Sequence, residues 1–370
     1  MPLKMLLILT VFALSIDLAI AEEKTTPEVD VNGTIHVPAF TLPESSFLSE
    51  ESKAALKRQR EIGAAEYKTM DCPSFKDADM KDMPAIRQCR ADHFYTRSLY
   101  KDMHQRYAVK QSTEVINGVY TEIFTPAAGI KKNNTNKVLI NLHGGGFQYG
   151  SRTFSHLESI PIAVVGRIKV VSIDYRMAPE HKFPAANEDI ENVYRGLLEH
   201  YKPENIGMYG CSAGAILTAQ SMAWLQKENL PLPGAIGMFC GAASRLDGDG
   251  MHIGSALKGR DMFAYVAQDV ISGPKAYFRG VDMSDPLATP AGSDDILSRF
   301  PASLLIVSTR DFLLSSVIHT HRQLVRLGVD ADLQIWEGVG HDFHADPSLP
   351  EAREAYDVIV KFFDKHLGGL

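Results

Sequence analysis

A serine lies at the centre of a glycine-flanked sequence, Gly-Cys-Ser-Ala-Gly, at residues 210–214. An apolar run at 206–209 precedes this sequence and a helix-forming run at 215–226 follows it. A sharp turn between a strand and a helix would lift the hydroxyl of Ser212 clear of the sheet, and such a turn accepts only small neighbours. The pattern predicts a nucleophilic serine, although G-x-S-x-G alone is short enough to arise by chance.

A second glycine-rich sequence, His143 to Phe147, follows directly after the apolar run 138–142. Attack of a serine on an acyl group places negative charge on the former carbonyl oxygen. Preorganised backbone N–H groups stabilise that charge by about 2.7–4 kcal/mol per donor. A flexible turn would also explain the glycines, but not their place after a buried strand and upstream of the serine. The predicted oxyanion-hole residues are Gly144, Gly145, Gly146 and Ala213.

A serine hydroxyl is a poor nucleophile without a base, and the base and its acid must come later in the chain. Asp311 follows the apolar run 304–307, and His341 follows the run 333–336. Loops that follow parallel strands meet at one edge of the sheet, which places both residues beside Ser212. The imidazole would accept the serine proton and deliver it to the leaving group, while Asp311 holds the tautomer. The pattern leaves three neighbouring alternatives open: His344, Asp342 and Glu337.

The elements that must position these residues alternate along the chain. Short apolar runs without polar alternation are separated by amphipathic helices, which predicts an α/β fold with a mostly parallel twisted sheet and helices on both faces. Thr113 to Phe124, with Asn117-Gly118 between apolar residues, predicts a β-hairpin. The helical pattern is clearest at residues 51–68, 190–201 and 351–367.

The N-terminus predicts a secretory signal peptide over residues 1–21. Lys4 is followed by an apolar run at 5–16 and a small-x-small site at 19–21. That run is shorter than the roughly 20 residues that cross a bilayer. We therefore expect a secreted or periplasmic protein with no stable membrane insertion once the signal is cleaved. The alternative is a protein anchored by an uncleaved N-terminal segment.

Composition and the positions of the cysteines exclude several classes of protein. The 370-residue chain is 45% hydrophobic with a formal net charge of −7, which is typical of a globular protein and gives no electrostatic reason to bind nucleic acid. Cys72 and Cys89 are the predicted disulfide, whereas Cys211 and Cys240 lie in segments predicted to be core. None of the four has metal-site spacing, so no metal is expected. Asn32 and Asn133 begin N-glycosylation sequons.

The pattern divides the mature chain into three parts. Residues 22–45 are predicted to be a loose N-terminus, 46–112 N-terminal cap helices, and 113–370 an α/β core with a cap insertion at 244–290. The alternative is that the N-terminal segment and the insertion are long surface excursions with no role in substrate binding. Residues 174–180 alone predict a turn held by an Asp174–Arg176 pair, without a catalytic role.

Several of these sequences together resemble the hormone-sensitive-lipase-like branch of the α/β hydrolases, known by its H-G-G-G-F loop. The resemblance covers the chain from about residue 138 to the C-terminus. Cys211 replaces the usual Asp of G-D-S-A-G-G, Ala215 replaces its last Gly, and Asp342 replaces a frequent Gly. The matching segments are His143–Phe147, Asp174–His181 with Phe183–Ala185, Gly210–Ala215, Ser284–Leu287, Asp311–Leu313 and Gly340–His341 with Phe343.

The resemblance implies a carboxylesterase that uses no cofactor and acts on short to medium acyl esters of small molecules. It also implies a cap built from the N-terminal helices and the later insertion, and it leaves a homodimer open. The alternatives are a lactonase or a sugar- or drug-ester deacetylase with the same triad. More distant alternatives are a peptidase and a non-catalytic ligand-binding protein on a hydrolase scaffold.

Overall fold

The computed structural model describes residues 26–68, 70–73 and 79–368. The predicted signal peptide lies outside these residues. In the described part of the chain, no helix combines the length and the apolar character needed to cross a membrane. The chain divides into two compact units, and the boundary along the sequence lies between Glu44 and Ser45.

The first unit contains a small antiparallel pair within the segment predicted to be loose. Strands β1 (Glu28–Val29) and β2 (Ile35–His36) pair with each other. The Oδ1 atom of Asp30 accepts the N–H groups of Asn32 and Thr34, at 2.8 and 3.0 Å. These bonds close the turn on which Asn32 lies exposed.

The second unit is built on an eight-stranded sheet that confirms the predicted fold class. Its strand order is β10-β9-β8-β7-β5-β6-β4-β3. Strand β4 pairs antiparallel with both β3 and β6, and every other neighbouring pair in this sheet is parallel. The hairpin begins four residues earlier than predicted. The strands are β3 (Val109–Ile116), β4 (Val119–Pro126), β5 (Val138–Leu142), β6 (Lys169–Ile173), β7 (Ile206–Cys211), β8 (Ala235–Phe239), β9 (Ala302–Arg310) and β10 (Ala331–Gly340).

Helices cover both faces of this sheet because the central strands are apolar on both sides. One face packs on a helix that turns an apolar stripe inward at residues 190, 193, 194 and 197, as predicted. The helices are α1 (Glu50–Lys68), α2 (Met83–Thr96), α3 (Ser98–Arg106), α4 (Phe154–Gly166), α5 (Ala185–Leu198), α6 (Ala213–Lys227), α7 (Asp249–Lys258), α8 (Met262–Tyr265), α9 (Asp294–Leu297), α10 (Leu314–Arg326) and α11 (Pro350–His366).

The two stretches predicted as a cap are helical and contact the loops at the carboxyl edge of the sheet. In α2, Arg87 forms a two-pronged ion pair with Glu180 and donates to the carbonyl of Gln148 at 2.6 Å. In the insertion, the carbonyl of Asp269 accepts the side-chain amide of Gln148, also at 2.6 Å. Both stretches therefore hold the loop that follows β5, which is consistent with the cap prediction.

Residues 174–180 do not form the predicted Asp174–Arg176 pair. Arg176 instead binds Asp189 at 2.9 Å and Glu188 at 2.8 Å, and Asp174 binds Arg152 at 2.8 Å. The prediction was wrong because α5 brings its first acidic residues back to the end of β6. These acids offer Arg176 better-placed partners than its sequence neighbour.

Candidate active site

Ser212 lies between β7 and α6 in a backbone conformation that L-amino acids rarely adopt, with φ +56° and ψ −117°. Strain of this kind is typical of a functional turn. A Cβ atom on Gly210 or on Gly214 would come within 2.2 or 1.7 Å of the carbonyl oxygen of Leu142. The elbow therefore packs directly on β5, and both flanking positions accept only glycine.

Asp311 and His341 form a hydrogen-bonded pair at the same edge of the sheet. His341 Nδ1 lies 2.9 Å from one carboxylate oxygen of Asp311 and 3.0 Å from the other. The Asp311 side chain is fully buried, whereas the His341 side chain keeps 16% of its surface exposed. Phe312 packs on the imidazole with a ring separation of 4.6 Å. The acid is thus shielded from water while the base faces the cleft.

The surroundings of Asp311 keep it ionised. Burial alone would raise the pKa of this carboxyl. The charge and hydrogen bond of His341, the N–H of Leu313 at 2.8 Å and the thiol of Cys240 outweigh burial, so the pKa lies below its ordinary value. A charged acid fixes the proton on Nδ1 of His341 and leaves Nε2 as the basic nitrogen.

Ser212 and His341 flank the same short segment after β8. The N–H of Ser212 donates to the carbonyl of Phe239 at 2.8 Å, and Cys240 Sγ lies within 4.8 Å of ligand atoms of both Asp311 and His341. Among the described residues, no hydrogen bond joins Ser212 Oγ to His341. Catalytic hydrogen bonds are often long before substrate binds. The structure therefore assembles the acid and base and places the serine beside them.

Three of the four predicted oxyanion donors have free N–H groups. Within the described chain, the N–H groups of Gly145, Gly146 and Ala213 donate to no acceptor. Gly145 and Gly146 have φ values of +119° and +61°, and a Cβ on Gly145 would lie 1.9 Å from the carbonyl oxygen of Tyr149. A side chain would therefore displace this loop, and glycine leaves its donors open to a ligand.

Gly144 corrects the prediction. Its N–H donates to Glu158 Oε1 at 2.8 Å, so it cannot also stabilise an oxyanion. Sequence analysis could not exclude Gly144, because its partner Glu158 comes from a helix 14 residues further along the chain. Gly144 instead anchors the loop to Glu158, and the N–H groups of Gly145, Gly146 and Ala213 remain without an acceptor in the described chain.

Comparison with known proteins agrees with this geometry. Residues 139–345 match the family model described as the alpha/beta hydrolase fold. An acetyl-hydrolase of Streptomyces hygroscopicus is 31% identical over 61% of this chain and 75% of its own length. The esterase LipU of Mycobacterium tuberculosis is 29% identical over 64% of this chain and 80% of its own.

Among solved structures, an esterase of the bacterial hormone-sensitive lipase family superposes with a TM-score of 0.68. It shares 28% identity over 86% of this chain and 99% of its own. A further esterase gives a TM-score of 0.75 at 27% identity over 90% of this chain. The chain belongs to the hormone-sensitive-lipase-like branch of the α/β-hydrolase family. It is a carboxylic ester hydrolase.

The alternatives to the triad occupy other places in this hydrolase. Glu337 is exposed on β10. Asp342 accepts the thiol of Cys211 at 3.3 Å, and His344 is buried with its Nδ1 4.0 Å from the Sγ of Cys240. The buried acid therefore pairs with His341 rather than with its neighbours, which supports the predicted roles.

Glu158 is a functional candidate that the motifs did not reveal. It lies in α4, where the surrounding helix is almost entirely buried, and only 3% of its surface is exposed. Its two oxygens accept the N–H of Gly144 and the amide of Asn141, each at 2.8 Å. A lone carboxylate within an apolar helix was the available signal. Glu158 ties the oxyanion loop of this hydrolase to β5.

Burial raises the pKa of Glu158 well above its ordinary value, and the charge of Asp342 raises it further. The hydrogen bonds from Gly144, Asn141 and the backbone of Cys211 act in the opposite direction but do not compensate. The carboxyl of Glu158 therefore keeps its proton to higher pH than an exposed glutamate does.

We expect Glu158→Gln to weaken the pH dependence of stability. Between its unfolded and folded pKa values, Glu158 makes the folded state bind more protons than the unfolded state. The free energy of unfolding then falls as pH rises through this window, by up to about 1.4 kcal/mol per pH unit. Glutamine has no such proton, so the stability of the variant relative to wild type should rise as pH increases above the ordinary pKa of a glutamate.

Urea unfolding across that pH range measures the effect. Glu337→Gln, an exposed glutamate changed in the same way, serves as the control. Parallel stability curves for wild type and Glu158→Gln would contradict the raised pKa of Glu158.

Proposed function

We propose that this protein is a secreted serine carboxylesterase that hydrolyses short to medium acyl esters of small molecules through an acyl-enzyme on Ser212. The observation that carries the proposal is the buried Asp311 bonded at 2.9 Å to His341, beside a strained serine and three open N–H donors. This is the set of groups that acyl transfer requires.

In the proposed mechanism, His341 Nε2 takes the proton of Ser212 as Oγ attacks the carbonyl carbon. The resulting oxyanion accepts hydrogen bonds from the oxyanion-hole N–H groups. His341 then gives the proton to the departing alcohol, and the acyl group stays on Ser212. A water molecule repeats the sequence and releases the acid. Asp311 stabilises the imidazolium at each step without accepting its proton.

A pocket one helical turn beyond the nucleophile supports the chain-length part of the proposal. Ile216 lies in α6, four residues after Ser212, and lines a cavity of about 280 Å³. A cavity of roughly 150 Å³ accepts benzene, so this one has room for a short or medium acyl chain. Its other lining residues include Ala243, Ile271, Phe278, Met283 and Ala288.

The names of two relatives favour acyl chains at the short end of the proposed range. These relatives carry the names acetyl-hydrolase, from Streptomyces hygroscopicus, and ethyl acetate hydrolase, from Pseudomonas putida, at 31% and 26% identity. A series of p-nitrophenyl esters from acetate to palmitate tests the proposal with wild-type enzyme. Activity that peaks at the longest chain would refute the chain-length assignment, and selective turnover of lactones or acetylated sugars would favour the alternative substrates.

We expect Ile216→Phe to shift this chain-length profile toward acetate. The larger ring would occupy the cavity and exclude the distal methylenes of a long chain, while the acetyl group stays close to Ser212. The ratio of kcat/KM for octanoate to that for acetate should fall about tenfold. Ile318→Phe, at an exposed position on α10, provides the matched control. An unchanged ratio in Ile216→Phe would remove the cavity from the acyl site.

Secretion is supported by the signal-like N-terminus, by the disulfide that joins Cys72 and Cys89, and by the two sequons. Asn32 and Asn133 are both exposed, as a glycan would require. Expression in a eukaryotic secretory host should give an enzyme in the medium that begins at residue 22. Glycosidase treatment should lower its mass, and Asn133→Gln should remove one step of that change. Retention of the full N-terminus in the membrane fraction would favour an uncleaved anchor instead.

A further inference from the structure

Two free thiols lie directly behind the nucleophile elbow, and the proposed mechanism uses neither as a nucleophile. Cys211 is the residue before Ser212, and Cys240 follows β8. Both are buried, with exposures of 1% and 0%. Cys240 has a φ of +53°, a kink that separates it from the regular strand. The two cysteines, together with His344 and Asp342, are called the thiol cluster below.

His344 is the third residue of a group whose side chains could all bind one metal ion. Its ring and the two sulfur atoms lie within 4.8 Å of one another. Only 3% of His344 is exposed, yet its Nε2 has no hydrogen-bond partner among the described residues. That nitrogen faces Oδ1 of Asp342 at 3.7 Å, which is too long for a hydrogen bond. A buried nitrogen without a partner is rare in folded proteins and points to a missing ligand.

Asp342 brings a fourth ligand and a route for entry. Its Oδ1 lies 3.3 Å from the sulfur of Cys211, and its N–H donates to the sulfur of Cys240 at 3.3 Å. A quarter of its side chain is exposed, 26%, so the thiol cluster reaches solvent at this residue.

The charges around the thiol cluster favour a cation. Burial raises the pKa of both thiols, to about 12 for Cys240, and nearby carboxyl groups raise them further. The carboxyl group of Asp342 acts on both thiols, and that of Asp311 acts on Cys240. A bound cation would balance this excess of acidic groups.

We infer that the thiol cluster is a binding site for one thiophilic divalent cation of the zinc or cadmium type. Two sulfurs, an imidazole and a carboxylate form a ligand set suited to such ions, which prefer four ligands in a tetrahedral arrangement. Binding forms two metal–sulfur bonds and releases two thiol protons to solvent. The sequence did not suggest the site because its ligands come from three distant segments: the end of β7, the residue after β8 and the loop after β10.

Occupation of the site inhibits the esterase. The thiol of Cys240 contributes a hydrogen bond to Asp311, and Asp342 directly follows His341. A metal that draws these residues together removes that bond and shifts the imidazole. A displacement of about 1 Å can lower turnover on the order of 100-fold. The predicted inhibition rests on the proposed function, whereas the binding of the metal ion does not.

The experiment titrates metal-free enzyme with Cd²⁺ and follows the ultraviolet absorption of cadmium–thiolate bonds. Hydrolysis of p-nitrophenyl butyrate is measured in the same samples. We expect the absorption to saturate at one Cd²⁺ per chain while kcat falls about 100-fold with little change in KM. Excess chelator should reverse both signals. Because absorption is independent of turnover, failure of the metal site is distinguishable from failure of the esterase proposal.

Variants identify the ligands. Cys240→Ser and Cys211→Ser should each lose the cadmium–thiolate signal and the inhibition, measured against their own metal-free activity, with circular dichroism to check folding. His252→Ala, at an exposed histidine, should keep both signals. Inhibition without the absorption band, or a band that persists in both serine variants, overturns the site. So does a denatured-state thiol assay that finds Cys211 and Cys240 already joined.

Discussion

Ser212→Ala should lower kcat for p-nitrophenyl butyrate by about 10⁶-fold while the protein remains folded. The reason is that the variant has no atom that can form the acyl-enzyme. The open N–H groups of Gly145, Gly146 and Ala213 remain, so a small rate above the uncatalysed reaction should persist. Because Ser212 lies in strained backbone, its unfolding curve should be compared with that of wild type.

Steady-state hydrolysis of p-nitrophenyl acetate and butyrate measures the loss, and circular dichroism checks the fold. Ser284→Ala is the matched control, since this serine is exposed and lies outside the site. Substantial turnover by the Ser212 variant would rule out an acyl-enzyme on Ser212.

Asp311→Asn should lower kcat about 10⁴-fold with a much smaller change in KM. An asparagine amide offers His341 a hydrogen-bond donor where the carboxylate offered an acceptor. The imidazole would then carry its proton on Nε2 and could not accept the proton of Ser212. Because Asp311 is fully buried and ionised, the variant also removes the charge that stabilises the imidazolium.

Kinetics with p-nitrophenyl butyrate measure this effect as well. Glu337→Gln changes an exposed acid near His341 and should keep wild-type kcat. If the Glu337 variant lost activity and the Asp311 variant kept it, the assignment of the acid would be wrong. A similar loss in both variants would indicate that general electrostatics, rather than orientation of His341, limits the reaction.

Much of the fold could be predicted from the local pattern of apolar and polar residues. Apolar runs at 138–142 and 235–239 are strands with those bounds, because a strand buried on both faces needs continuous apolar residues. Strands β9 and β10 are longer than their apolar runs, since backbone pairing continues past the core. The short pair at 28–36 and the partners of Arg176 were not predicted. Both depend on hydrogen bonds within turns and on packing between elements, and the alternation of apolar and polar residues along the chain encodes neither.

Sequence pattern was sufficient to predict the fold class and the candidates Ser212, Asp311 and His341. Each lies in a motif or after a buried strand, where residue type and neighbours restrict the backbone. The contact of Glu158 with the N–H of Gly144, and that of Cys211 with Asp342, 131 residues away, became visible only in the folded structure. Such contacts depend on how helices and loops stack around the sheet. A local pattern restricts the conformation of a segment, but the free energy of a buried polar group depends on whichever distant partner the fold places beside it.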